Sequence, residues 1–239
     1  MRKLLLICML IPLLGISQTK NVISSNRVFP KVDKVLEFEK ALAAHAQKYH
    51  TGDWKWRVFE IQSGPDFGGY QLVEGPNSWD QLDSRGNLGT EHNTDWNKNI
   101  AVFLTDRSSN YYSVFQEELS TVQLTDFADK IEVNHIFQKP GYGPELREGI
   151  KKFKKVWEES KQTVAVYTSS SSGQNQYIIV TRYKQGLKER EAGFLKPIKD
   201  RYEAVNGEDS WDDYFDMLKA TVDKQWSELL FYRAELSSK

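Results

Sequence analysis

The order of strand and helix patterns in the second half of the sequence constrains the fold more than any other feature. Residues 130–138 are rich in β-branched and apolar side chains, which predicts a strand. Apolar residues then recur at intervals of three and four from Pro144 to Ser160, which predicts an amphipathic helix. Its apolar stripe consists of Leu146, Ile150, Phe153 and Trp157.

Two more strands and a second helical region complete this half. Residues 163–168 and 176–183 are predicted strands, joined as a hairpin by a loop of serines with one glycine. The polar stretch 187–223 contains a predicted helix over Ser210–Thr221, and the aromatic-rich segment 227–236 is a predicted strand. The order is therefore βαββαβ, that of a ferredoxin-like unit.

The first half shows the same order with weaker patterns. We predict strands over 22–29, 54–62, 69–74 and 111–119, with helices over 33–50 and near 95–105. Tyr70 in Tyr-Gln-Leu-Val corresponds to Tyr177 in Tyr-Ile-Ile-Val. These matches predict an internal duplication of α+β class, with a first repeat at 18–122 and a second at 123–239. Because several strands are apolar on both faces, the two sheets are expected to pack against each other.

The duplicated order, together with the turn Lys139-Pro140-Gly141 after the first strand of the second half, resembles the dimeric α/β-barrel superfamily of the antibiotic-biosynthesis-monooxygenase and NIPSNAP kind. The resemblance implies two ferredoxin-like units paired within one chain, which would make the protein an intramolecular pseudo-dimer and a monomer. It also implies a ligand site between sheet and helices. Members include haem-degrading and quinone-forming monooxygenases as well as proteins with no assigned reaction, so the resemblance does not fix a function.

The N-terminus predicts export. Arg2 and Lys3 precede an apolar segment over 4–14, and small residues before Gln18 suit cleavage after Ser17, so residues 1–17 are predicted to be a signal peptide. The mature protein would then be periplasmic or secreted. The only cysteine, Cys8, lies within this segment, which excludes disulfides and thiolate sites from the mature chain. The apolar segment is too short to span a membrane, and none later in the chain approaches that length.

Composition and motifs exclude several other functions. The chain has 32 basic and 33 acidic residues, evenly spread, so nucleic acid is not an expected partner. Phosphate-binding, dinucleotide-binding, zinc-protease and serine-hydrolase motifs are absent, so no cofactor is predicted and the catalytic residues stay unknown. The acidic residues over 208–216 fit a helix start better than a calcium site, so no metal site is predicted.

Four residues are candidate ligand contacts: His45, Trp54, Trp56 and His135. His45 lies in the apolar stripe of the first helix, where either a buried structural histidine or a ligand contact is consistent with the pattern. Helical geometry predicts that His50 points away from His45, so that the two would not chelate one metal. Trp54 and Trp56 share one strand face, and His135 shares a strand face with Ile131 and Val133.

We therefore expect an exported protein that binds a small apolar or aromatic ligand between sheet and helices, in the tryptophan-rich first half. One alternative is a monooxygenase-like enzyme, haem-using or cofactor-independent. For haem degradation, the resemblance implies an asparagine, a tryptophan and a histidine, and the first half offers Asn26, Trp79 and His92 in that order. The second half offers Asn134 without a tryptophan or histidine over 187–206. A protein-interaction module is the third hypothesis, and the sequence does not decide whether the protein is an enzyme.

Overall fold

The computed structural model describes residues 19–239, so the predicted signal peptide lies outside the described residues. This part of the chain forms eight strands: β1 (Val22–Pro30), β2 (Trp56–Ile61), β3 (Tyr70–Asn77), β4 (Leu104–Phe115), β5 (Lys130–Gln138), β6 (Val164–Ser170), β7 (Gln176–Arg182) and β8 (Val222–Tyr232). It also forms six α-helices: α1 (Val35–Tyr49), α2 (Trp79–Ser84), α3 (Thr90–Asp95), α4 (Gly143–Glu159), α5 (Ile198–Asn206) and α6 (Ser210–Thr221).

All eight strands belong to one closed barrel. Neighbouring strands follow the order β1-β3-β2-β8-β5-β7-β6-β4, and β4 pairs with β1 to close the ring. Every pairing is antiparallel. The first four strands are arranged as β4-β1-β3-β2 and the last four as β8-β5-β7-β6, which is the same neighbour order in both halves. The halves meet where β2 pairs with β8 and β4 with β6.

The helices cover the outside of the barrel. In the first half, α1 buries Phe38 and Leu42 against Val28, Val58 and Leu72 of the sheet. In the second half, α4 and α6 pack on the outer face of β5, β6 and β7 through a separate apolar cluster. Because side chains alternate along each strand, the strand residues that do not face the helices point into the barrel interior. No helix among residues 19–239 is long and apolar enough to cross a membrane.

Most predicted elements are confirmed, and the differences have local causes. The bounds of β5 and α6 match the predicted ranges. The predicted helix near 95–105 is instead α3, a π-helical turn over Trp96–Ile100 and a short 3-10 turn, while α2 was not predicted. Strand β4 begins at Leu104 rather than near 111, because its polar first part pairs with β1 while its side chains stay exposed. Such a segment lacks the alternation that predicts a strand.

Candidate functional site

A cavity with an empty volume of about 1010 Å³, part of it open to solvent, lies between the outer face of the second-half sheet and helices α4 and α6. Its wall is mainly apolar and includes five aromatic side chains, those of Phe153, Trp157, Trp211, Tyr214 and Phe215. Its polar groups come from three strands of the sheet: Glu132, Asn134, Thr181 and Gln225. An apolar cavity with a few polar groups on one wall is the usual form of a small-molecule site.

Local sequence patterns place these side chains. Along β5, Glu132, Asn134 and Ile136 point outward to the helices, whereas Val133 and His135 point into the barrel. On α6, Trp211, Tyr214, Phe215 and Leu218 recur at intervals of three and four, so they share the face turned toward the sheet. The cavity therefore has a polar floor on the sheet and an aromatic roof on the helices.

Asn134 has an unmet hydrogen-bonding requirement in this cavity. Its Oδ1 is buried and accepts no hydrogen bond from any described residue. Leaving a buried carbonyl oxygen unpaired costs about 1–3 kcal/mol, so such atoms are rare unless a ligand or water completes them. The neighbouring Glu132, in contrast, accepts hydrogen bonds from Tyr183 and Arg190. Asn134 thus gives the floor a buried acceptor that has no partner among the described residues.

Tyr214 gives the aromatic roof a polar group as well. Burial raises the pKa of its phenol, so the hydroxyl stays protonated at neutral pH. Tyr214 stacks on Trp211, with ring centroids 5.5 Å apart and an angle of 27° between the planes. Both side chains line the cavity, so their rings are available to contact a flat ligand.

The barrel interior contains a second cavity, with an empty volume of about 710 Å³ that includes space open to solvent. Arg57 and Arg182 line it among mostly apolar side chains. Arg57 donates a hydrogen bond to the Gly75 carbonyl at 3.0 Å, and Arg182 donates one to the Gln123 carbonyl at 3.1 Å. Burial, and then the nearby charge of Arg182, lower the pKa of Arg57. Among the described residues, Asp126 is the one acidic residue of the lining, so the side chains of this interior cavity carry a net positive charge.

The predicted first-half pocket around His45 is filled by side chains. His45 is buried, as its position in the α1 stripe predicted, and its ring centroid lies 5.7 Å from that of Trp56 and 5.5 Å from that of Trp96. None of the described cavities is lined by His45 or Trp54. Trp54 instead lies beneath the guanidinium of Arg85, 5.0 Å from its ring centroid. The structure therefore brings His45 and Trp56 together but leaves Trp54 outside the group.

The position of His50 differs from the helical expectation. Helix α1 ends at Tyr49, and His50 has φ −106° and ψ 82°, so rotation by 100° per residue does not apply to it. Its ring stacks on Trp56 at 3.4 Å and lies 5.3 Å from that of His45. His92, from α3, completes the group, with its Nε2 3.2 Å from His45 Nε2. No spacing pattern in the sequence indicates this cluster, because His92 is distant in the chain from His45 and His50.

His135 lies in the barrel interior rather than at a cavity. Its Nε2 is 3.0 Å from a carboxylate oxygen of Glu228, and its ring stacks on Trp226 at 3.9 Å. Glu228 also forms a buried ion pair with Arg27. His135 is therefore part of a satisfied polar network, and sequence reasoning missed its two charged members.

The residues that the resemblance implies for haem degradation contact different neighbours in the structure. Trp79 is half exposed and packs on Tyr112, with ring centroids 5.7 Å apart. His92 belongs to the histidine cluster. No described contact joins Trp79 to His92 or to Asn26, so this set is not assembled as one site among residues 19–239.

No protein-family model matches the chain, and no curated protein matches it in sequence. Solved structures are similar over most of its length. A candidate monooxygenase from Fusobacterium nucleatum aligns with a TM-score of 0.54 and 14% identity, covering 88% of this chain and 91% of the other. An anthrone oxidase-like protein aligns with a TM-score of 0.53 and 14% identity, covering 90% and 92%.

A candidate chlorite dismutase also aligns, with a TM-score of 0.54, 8% identity and coverage of 91% and 96%. At such low identity the similarity concerns the fold alone. The closed eight-stranded antiparallel barrel with outer helices is the fold that these proteins share with this chain. The predicted α+β fold, with strands and outer helices in ferredoxin-like order, is thereby confirmed.

Proposed function

We propose that this protein binds a small, flat, partly apolar ligand in the cavity between β5, β7 and the helices α4 and α6. The observation that supports this most directly is the unpaired, buried Oδ1 of Asn134 on the floor of that cavity. A ligand hydroxyl or N–H group that donates to this oxygen removes the cost of leaving it unpaired. The proposed site lies between sheet and helices, as expected from the sequence, but in the second half of the chain rather than the first.

The wall chemistry indicates the class of ligand. Two aromatic side chains of α4 and three of α6 face the cavity, which favours an aromatic ring system. Apart from the Tyr214 hydroxyl, the polar groups lie together on the sheet side, so most hydrogen-bonding groups of the ligand belong on one edge. A polycyclic phenol has both properties: its hydroxyl donates to Asn134, and its rings pack under Trp211 and Tyr214.

Location and origin belong to the same proposal. The charged start, apolar segment and small residues of positions 1–17 support export to the periplasm or beyond, where the ligand would be met. The equal strand orders of the two halves support a duplication with repeats at 18–122 and 123–239. After a duplication the two halves can diverge, which is consistent with a filled sheet–helix space in one half and an open one in the other.

The binding proposal is tested by titrating the mature protein with 2,6-dihydroxyanthraquinone and following tryptophan fluorescence, since Trp157 and Trp211 line the cavity. Asn134→Leu removes one neutral hydrogen bond, so we expect the affinity to fall about 3- to 10-fold. The same change removes an unpaired buried carbonyl, so the free energy of unfolding of the ligand-free protein is expected to rise.

Asn110→Leu is the matched control, because Asn110 is an exposed residue of strand β4. It is expected to leave affinity and quenching unchanged. If the probe binds equally well to Asn134→Leu, the ligand occupies another place, such as the interior cavity. That result, or no binding by the wild-type protein, overturns the proposal.

Oxygenation of the bound phenol is a second candidate function. The observation that favours it is the carboxylate of Glu132, which lines the same cavity and could accept a proton from the ligand. The fold similarity to a candidate monooxygenase and an anthrone oxidase-like protein is consistent with it. The test is O₂ consumption with anthrone, in which one O₂ converts the CH₂ group to a carbonyl and releases one water. Glu132→Gln should abolish turnover but retain binding, whereas absence of O₂ consumption would leave binding as the function.

A further inference from the structure

The histidine cluster of the first half has the geometry of a metal site, and we propose that His45, His50 and His92 together bind one divalent transition-metal ion, Zn²⁺ foremost. The three side chains each turn one ring nitrogen toward a common point, and these nitrogens all lie within 4.8 Å of one another. This site lies in the first half of the barrel and the proposed ligand cavity in the second, so a negative result for one proposal does not bear on the other.

The distances between the nitrogens match zinc coordination. His92 Nε2 lies 3.2 Å from His45 Nε2 and 3.4 Å from His50 Nε2. Zinc–nitrogen bonds are about 2.0–2.1 Å long, so two ligands of a tetrahedral ion lie about 3.3 Å apart. Two of the three nitrogen–nitrogen distances are therefore close to the spacing of a tetrahedral site, and the third pair, which lies within 4.8 Å, would be drawn together by a small movement of the side chains.

Hydrogen bonds at the opposite ring positions indicate that lone pairs face the common point. His45 Nδ1 lies 2.7 Å from the Asp95 carboxylate and His92 Nδ1 lies 3.0 Å from the Asn93 carbonyl oxygen. Both oxygens accept, so both Nδ1 atoms donate, and in the neutral rings the Nε2 atoms are left without protons. Two lone pairs that face each other at 3.2 Å repel, unless a cation lies between them.

Carboxylates behind the histidines complete a familiar arrangement. Metal-binding histidines usually donate their second N–H to a carboxylate or a carbonyl group. Asp95 has this role for His45, whereas the Glu74 carboxylate lies 3.6 Å from Nδ1 of His50, just beyond hydrogen-bond distance, and that nitrogen has no other partner among the described residues. Glu74 is itself oriented by hydrogen bonds from the Trp56 indole at 3.0 Å and from Arg85 at 2.7 Å. Two acidic groups therefore lie next to the place where the positive ion would bind.

The surroundings favour a site with an open coordination position. His45 and His50 are about 99% buried, whereas His92 is partly exposed on the short helix α3. Trp56 and Trp96 shield the inner side of the cluster. Three protein ligands with the fourth position open to water are typical of catalytic rather than structural zinc. A Zn²⁺ ion bound here would have a water molecule as its fourth ligand, and that water would enter from the side of His92.

The test uses the mature protein without an affinity tag, freed of metal with EDTA and titrated with Zn²⁺ by calorimetry. We expect one ion per chain with a Kd below about 1 µM. Substitution with Co²⁺ should give the visible absorption of a four-coordinate ion. His92→Ala is expected to weaken Zn²⁺ binding by at least about 100-fold, and because His92 is partly exposed, the variant should retain the far-ultraviolet circular dichroism of the wild type.

The control is His135→Gln, which changes the one histidine outside the cluster. It is expected to bind Zn²⁺ with the wild-type affinity and stoichiometry. A wild-type protein that binds no Zn²⁺ or Co²⁺ overturns the proposal and indicates instead that a proton bridges the rings. Equal Zn²⁺ affinity in wild type and His92→Ala also overturns it.

Discussion

Arg27 and Glu228 are 201 positions apart in the chain and form a two-point ion pair inside the barrel, with Arg27 Nη1 3.2 Å from Glu228 Oε2 and Arg27 Nη2 in closer contact with Glu228 Oε1. One residue comes from β1 of the first half and the other from β8 of the second. Both side chains are almost fully buried. The interior of the barrel is therefore held together partly by charge across the two halves.

Glu228→Ala should be strongly destabilising, because it leaves Arg27 and His135 without their shared carboxylate. Removing one partner of a buried pair typically costs about 3–5 kcal/mol. Asp66 still contacts Arg27 at 2.6 Å, so we expect the lower end of this range. The free energy of unfolding in urea is the measurement.

Glu235→Ala is the control for that experiment, since Glu235 is 61% exposed and pairs with Arg233 at the surface. Exposed pairs contribute about 1 kcal/mol or less. Similar losses for the two variants would contradict the interpretation of the Arg27–Glu228 pair as a buried link between the halves.

The sequence predicted the strands and helices well because their signals are local. The alternation along residues 130–138 and the stripe of α4 each require only a few neighbouring residues to be recognised. The Arg27–Glu228 pair has no such signal. The pair forms only when the barrel closes and both side chains point into its interior. The sequence of either strand alone does not predict which residue of the other strand lies opposite.

The candidate sites were harder to predict for the same reason. His45 was singled out correctly as buried, but the residues that surround it come from the end of α1, from β2 and from α3. The separation of His45 and His50 by helical rotation failed because α1 ends one residue before His50. Asn134 was noted on its strand, yet only the packing around it shows that its carbonyl oxygen has no partner.

The stability of the metal-free protein should fall as the pH is lowered from about 6.5 to about 4. Burial lowers the pKa of His45 to about 4 and also lowers the pKa of His50, against an unfolded value of about 6.5. The unfolded state then binds more protons than the folded state within this window, so acid favours unfolding. Above pH 6.5 both states are neutral at these residues and the effect is absent.

For His45 alone this shift corresponds to about 3 kcal/mol between the ends of the window. The measurement is urea unfolding at a series of pH values in the presence of EDTA. His45→Gln should be less stable at pH 7 but show a weaker dependence on pH. An unchanged pH dependence in this variant would mean that other groups cause the acid sensitivity.

Asp95→Asn should weaken Zn²⁺ binding without abolishing it. The carboxylate accepts the Nδ1–H of His45 at 2.7 Å, and the hydrogen bond in turn lowers the pKa of Asp95. An amide at this position removes the negative charge, and it can direct its NH₂ group, a donor, at the Nδ1–H of His45 where an acceptor is needed. Loss of such a supporting carboxylate typically costs about 10- to 100-fold in metal affinity.

The readout for Asp95→Asn is Zn²⁺ calorimetry, with Asp83→Asn as the exposed control. Asp83 lies on α2 and is expected to have no effect on affinity. If Asp95→Asn binds Zn²⁺ as tightly as the wild type, the carboxylate has no supporting role, and the contact to His45 is structural only.

Ile179→Trp should fill the proposed ligand cavity and block it. Ile179 lines the cavity from β7, so the larger ring would enter open space rather than a packed core. Inserting bulk into a packed core typically costs about 1–3 kcal/mol, but here we expect a change in unfolding free energy below about 1 kcal/mol. Binding of 2,6-dihydroxyanthraquinone should fall at least 10-fold, about 1.4 kcal/mol.

Leu72→Trp is the matched control in the first half, where Leu72 is 2% exposed and packs in the core beneath α1. None of the described cavities is lined by Leu72, so the same increase in bulk should cost the full 1–3 kcal/mol or more. The fraction of the Leu72→Trp variant that remains folded should still bind the probe. Equal destabilisation by the two substitutions would mean that the second-half space is as tightly packed as the first, and the ligand site would then have to lie elsewhere.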